Sequence, residues 1–260
     1  MGGSEAERRR AGAPVDAYLA ELAARARAVL GERLVGVYAG GSLAFGAYEQ
    51  GRSDLDVAVV ADGRLPRART EALVAALRHE ALPSPARGLE LVVYAREAAE
   101  APAVEADFEL NLNTGRAMPF RADFAFDPEV GSHWFAIDRA ILREYGLAVA
   151  GPPAREVFAE IPRSLLLPVV LESLRWHEGG EALGDDAVLN ACRALRYARD
   201  DEWSSKPAAG RWALEHCAGD AATIEAAFEA RVAGVPVDSK SAATFVAAAA
   251  RELAGSFTDS

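Results

Sequence analysis

Two aspartates, a glutamate and a glycine–serine turn are the residues of this chain whose types and spacing could do chemistry. Asp54 and Asp56 stand in "GGSLAFGAYEQGRSDLDVAVV", Gly40 to Val60, and lead into an apolar run that reads as a strand. On a strand, residues i and i+2 project from one face. Two carboxylates on one face repel each other unless a cation sits between them. Mg²⁺ is the oxygen-seeking ion suited to that place, and nucleotide phosphates commonly complete its ligands. Gly40 and Gly41 allow close backbone approach to a ligand, and the following segment could offer amide groups and the Ser42 hydroxyl to a phosphate. Glu90, in "GLELVVY", opens another apolar run that could lie beside the first two. Three acids next to such a turn fit metal-assisted attack on a nucleotide phosphate. Each feature alone has a plain structural reading. Acids at strand edges discourage aggregation, and Gly-Ser without a Gly-Lys-Ser/Thr ending is no P-loop. Their order and apolar framing together favour function.

The elements that must position these residues follow from periodicity. Val15, Leu19, Leu22, Ala26 and Val29 recur at helical spacing, so an amphipathic helix opens the fold. "RLVGVYAG", "LDVAVVAD" and "LELVVYA" read as strands, with "DFELNLN" as a fourth, and "PRARTEALVAALRHE" as a helix with proline in its first turn. The pattern predicts an α+β fold, a small mixed sheet with helices against one face. After the Gly-Pro-Pro stop at Gly151–Pro153 the character becomes helical. "RSLLLPVVLESLRWHE" carries a proline expected to kink or reset its helix, and "DDAVLNACRALRYARD" and three alanine-rich segments complete an all-α bundle. The expected organisation is a flexible leader (1–13), a mixed-sheet domain (14–153) and a helical domain (154–260).

Composition limits the partners. The chain has 260 residues, 51% hydrophobic and 26% charged, which suits a globular protein with a sizeable core. It contains no apolar run long enough to span a bilayer, and two cysteines without ligand-like spacing. A reduced, cytoplasmic protein without a membrane partner is expected, and a monomer. The net charge of −11 argues against nucleic acid and for cationic small molecules. Glu178, Glu181, Asp185 and Asp186 form an acidic stretch suited to ammonium or guanidinium groups. Asp185 and Asp186 read equally well as a helix cap. Trp134 and Trp176 read as core residues.

The Gly-Ser…Asp-x-Asp pattern resembles the signature of the nucleotidyltransferase superfamily, whose polymerase β-like fold the mixed sheet would share. With Glu90, "LREYGLAVAGPPAREVF" and "VLNACRALRYARDDEWSSKPAAGRWALEH", the chain from about residue 15 to 255 is similar to the aminoglycoside adenylyltransferases that modify streptomycin and spectinomycin. The resemblance implies transfer of AMP from ATP, with Mg²⁺, to a hydroxyl of a cationic aminoglycoside or aminocyclitol. It implies Asp54 and Asp56 as metal ligands, Glu90 as catalytic base, and Gly41, Ser42, Arg193 and Lys206 at the nucleotide. Glu181 and Asp185 fall where the family binds the antibiotic, and Asn111 stands where streptomycin-modifying members carry a drug-packing tryptophan. Another small-molecule or protein acceptor, or a catalytically silent nucleotide-binding role, stays open on sequence alone.

Overall fold

The computed structural model describes residues 12–126, 131–178, 183–217 and 220–255. The expected leader lies almost wholly outside them. The chain divides into two compact units, the first ending at Ile161 and the second beginning at Pro162. No helix among the described residues is long and apolar enough to cross a membrane.

Helix α1 (Ala13–Leu30) opens the first unit, with Pro14 and Asp16 in its first turn, where a fixed φ and a negative charge both suit a helix start. Strands β1 (Leu34–Ala39), β2 (Leu55–Ala61), β3 (Leu89–Ala95), β4 (Leu110–Gly115), β5 (Met118–Asp123) and β6 (Leu147–Ala150) form one sheet in the order β5-β4-β3-β2-β1-β6. β2 and β3 are its parallel pair. A parallel pair needs a crossover, and α3 (Arg67–Leu77) supplies it; a short helix α2 (Gly41–Ala44) follows β1.

Helices cover both faces of this sheet, not the one face that the sequence pattern suggested. On one face α1 and α3 pack Leu19, Leu22, Leu73 and Leu77 against Val57 and Leu91. On the other, Ala58, Val60 and Tyr94 meet Phe135 and Leu142 of α5 (His133–Tyr145). A small helix α4 (Arg96–Ala99) adds Ala99 to that cluster. The burial of β2 at every position but Asp56 is the signature of a strand covered on both sides. Helix α5 escapes a periodicity reading because polar His133 and Arg139 interrupt its buried stripe. Strand β5 escapes it because none of its residues is buried, and Pro119 suits its place at the sheet edge. Beyond the Gly-Pro-Pro stop, Val157 and Phe158 still belong to the first unit's core.

The second unit is helical: α6 (Arg163–Glu178), α7 (Asp185–Asp200), α8 (Lys206–His216), α9 (Ala221–Ala233) and α10 (Ser239–Gly255). Helix α7 buries Val188, Ala191, Cys192 and Leu195 at helical spacing. A Cβ on Gly210 would stand 2.7 Å from the Phe228 ring and 2.8 Å from Leu189, so a glycine lets α8 close on α9 and α7. Helix α6 runs through Pro168 as one element; the expected reset is not seen. Trp176 is 51% exposed rather than in the core.

Candidate active site

Gly41 and Asp56 define the centre of the first unit's site. Gly41 lies in the left-handed region (φ 50°), and a Cβ there would stand 1.7 Å from Asp56 Oδ2. Only glycine fits both the backbone and the space. The turn is tied to the strand beneath it, since the Gly40 amide donates to the Asp56 carbonyl at 2.8 Å. Ser42 Oγ is shielded from solvent and has no hydrogen-bond partner among the described residues. A buried hydroxyl without a partner is costly.

Strand register brings the next acid alongside. In the parallel pair, Asp56 stands opposite Glu90, and across β4 Glu90 stands opposite Asn113. Opposed residues share a face, so Asp56, Glu90 and Asn113 form a row. Asp54 does not lie on the strand: it directly precedes β2. Its neighbours are anchored instead, with the Leu55 amide donating to the Gly88 carbonyl at 3.0 Å and the Arg87 amide to the Ser53 carbonyl at 3.2 Å. Tyr48 feels that carboxylate: burial first, and then Asp54, push its hydroxyl pKa up. Among the described residues no three His, Cys, Asp or Glu side chains close into a metal cage. Asn111, one pleat from Asn113 on the same strand face, donates from Nδ2 to Asp123 Oδ2 at 3.3 Å.

A narrow cleft runs along this face. Gly40, Gly41 and Asp56 line one end, Ala58, Val92 and Tyr94 its floor, and α5 one side through Asp138, Ile141 and Leu142. Asp138 was not among the residues that spacing singled out. Its only sequence signal is an acid set among the apolar Phe135, Ile137 and Ile141, which became meaningful once α5 was seen against the sheet.

In the second unit, the charges of both Lys206 and Arg193 reach His177. Burial, then Lys206, then Arg193 hold the His177 imidazole below its ordinary pKa, against an opposing pull from Asp186. Asn190 Nδ2 lies 3.2 Å from His177 Nε2, a contact suited to a neutral ring. Lys206 is the first residue of α8, where the helix dipole favours anions, and its Nζ is 3.2 Å from Asp186 Oδ1. Asp185 and Asp186 occupy the first turn of α7, while Gly184 is the cap residue, so neither acid caps the helix. Arg231, which sequence reasoning also passed over, faces both: its Nη1 lies 3.8 Å from Asp185 Oδ2 and 3.4 Å from Asp186 Oδ1. The acidic stretch is thus partly neutralised by Lys206 and Arg231. Glu181 lies outside the described residues.

Residues 156–255 match the family model described as aminoglycoside adenylyltransferase, C-terminal domain. That stretch is similar to the family's C-terminal domain. Over the whole fold the chain is similar to the crystal structure of spectinomycin adenyltransferase AAD(9) from Enterococcus faecialis with ATP and spectinomycin. The TM-score is 0.66 at 16% identity, over 88% of this chain and 95% of that one. No curated protein matches in sequence. The adenylyltransferase domain model spans Arg193, Lys206, Asp185 and Arg231. Asp54, Asp56 and Glu90 precede it, in a part of the chain whose likeness to the AAD(9) structure is one of fold.

Proposed function

We propose that this chain is a Mg²⁺-dependent adenylyltransferase that moves AMP from ATP to a hydroxyl of a cationic aminoglycoside or aminocyclitol, with spectinomycin preferred over streptomycin. The observation that carries the reading is the register of β2 and β3, which sets Glu90 beside Asp56 next to the Gly41 turn. The adenylyltransferase domain match and the presence of spectinomycin in the AAD(9) structure support the acceptor class. Asn111, standing where the resemblance places a drug-packing tryptophan, favours spectinomycin, since an amide bonded to Asp123 offers no flat apolar surface to a sugar.

The residues present fit Mg²⁺. Asp54 and Asp56 would hold it, and the glycine that leaves the Asp56 carboxylate room, with the unpartnered Ser42 hydroxyl beside it, suits a phosphate-bearing ligand. The ion would supply positive charge against the attacking and leaving oxygens at phosphorus. Ser42 would bind the nucleotide's phosphates. Glu90, exposed on its strand, takes the proton from the acceptor hydroxyl. The acceptor oxygen bonds to the α-phosphorus, the bond to the bridging oxygen breaks, and pyrophosphate leaves.

The test is pyrophosphate release by the purified chain with ATP and Mg²⁺, with spectinomycin and streptomycin in parallel. Release with spectinomycin exceeding that with streptomycin is expected, and Glu90→Gln should lower kcat by about 10²-fold or more at unchanged thermal midpoint. Silence with both drugs, or a Glu90→Gln variant as fast as the parent, overturns the reading.

A further inference from the structure

Helix α10 carries more alanine than its buried face needs. Ala242, Phe245, Val246, Ala249 and Leu253 are buried, whereas Ala243, Ala247 and Ala254 are only half-buried. With Ala250, these last three recur at helical spacing along one face and floor a surface cavity of about 440 Å³. Alanine keeps the face helical while adding only a methyl at each position, so the space stays open. The cavity's other lining residues are Arg175 of α6 and Arg251 of α10, both exposed. Its charge is opposite to that of the chain. Against 39 acids and 28 Lys and Arg overall, the lining holds two guanidinium groups and no acid. Neither arginine has an ion-pair partner among the described residues. The acid next to Arg251 is engaged elsewhere, since Glu252 Oε1 accepts from Arg199 Nε at 2.7 Å.

We infer that this cavity is a binding site for a small organic anion, one carboxylate or sulfonate head on an apolar frame. Size admits such a molecule, because small-molecule sites span roughly 300–1,000 Å³. Charge selects its head: two unpaired guanidinium groups attract a carboxylate or sulfonate and repel a cationic aminoglycoside. The floor selects its body. Alanine methyls offer no hydrogen bond to a ribose, a nucleobase or a sugar hydroxyl, and a free phosphate would leave them uncovered. A hydrocarbon or aromatic frame removes that apolar surface from water while its head meets the arginines. None of the residues assigned to the transfer reaction lines the cavity, so binding here is independent of the function proposed above.

The experiment is fluorescence titration of the full chain with anilinonaphthalene sulfonate, whose sulfonate and fused rings match the head and the frame. One saturable site is expected, with dodecanoate displacing the dye and with ATP and spectinomycin leaving it bound. The double variant Arg175→Gln, Arg251→Gln should raise the Kd for the dye about tenfold or more through loss of charge-assisted bonds. Ala247→Leu, which fills the cavity and leaves its charge alone, should raise it as well. Both variants keep the parent's thermal midpoint, because the arginines are exposed and unpaired and leucine suits a half-buried helix position. Absence of a saturable phase overturns the inference, and so does displacement of the dye by ATP. Either variant binding the dye as tightly as the parent overturns it too.

Discussion

Replacing Gly41 by alanine separates two costs that the structure lets one calculate. The first is conformational: a non-glycine residue at φ 50° costs about 1–2 kcal/mol. The second is spatial. A Cβ 1.7 Å from Asp56 Oδ2 has to be relieved to at least 3.0 Å, the limit below which real contacts are essentially absent. The carboxylate or the turn therefore moves by roughly 1.3 Å, the difference between those two distances, and a misplacement of about 1 Å can cost about 10²-fold in rate. Gly51 provides the control. It has φ 81° with no atom within 4 Å of its would-be Cβ, so Gly51→Ala incurs the conformational cost alone. Thermal unfolding and pyrophosphate release on both variants give the answer. Both should be destabilised by about 1–2 kcal/mol from backbone strain, while only Gly41→Ala loses about 10²-fold in kcat. A Gly41→Ala enzyme as fast as Gly51→Ala would refute the claim that this glycine is there to make room for the Asp56 carboxylate.

Two further outcomes follow from groups away from the sheet's acids. His177 is held neutral below its ordinary pKa of 6.5 by burial, Lys206 and Arg193. Its unfolded form gains a proton as pH falls through about 6.5 while the folded form does not, so stability is full above that pH and lost below it. His177→Gln should flatten the acid limb, and Lys206→Gln should raise the His177 pKa in an NMR titration; an unmoved titration would contradict the observed clustering. Arg139→Met strands the carbonyls of Ala98 and Ala103 and should cost about 1–3 kcal/mol in urea unfolding. A loss below about 1 kcal/mol would mean that these bonds hold nothing that water does not replace.

Segments with one dominant period were legible in the chain itself. Helix α7 was read to its end residues, and strands β1, β2 and β3 to within a residue or two, because their apolar residues recur at the period of the element. Helix α5 and strand β5 were not, since a buried arginine clasping carbonyls and an edge strand without buried residues both break the rule that links apolarity to burial. The second face of the sheet was invisible for the same reason.

The sequence by itself determined that a glycine turn, two aspartates and a glutamate sit at the mouths of consecutive strands, because turn residues and alternating runs are local facts. It also determined the acidic balance and the helical character of the second unit. Which acids stand side by side was decided by tertiary structure: strand register set Glu90 opposite Asp56, left Asp54 just outside the strand, and let α5 add Asp138 to the cleft. Arg231 met Asp185 and Asp186 in the same way, across 45 or more residues of chain. Register and helix docking come from burying surfaces distant in sequence, and a local reading of residue types carries no record of which distant surface each will meet.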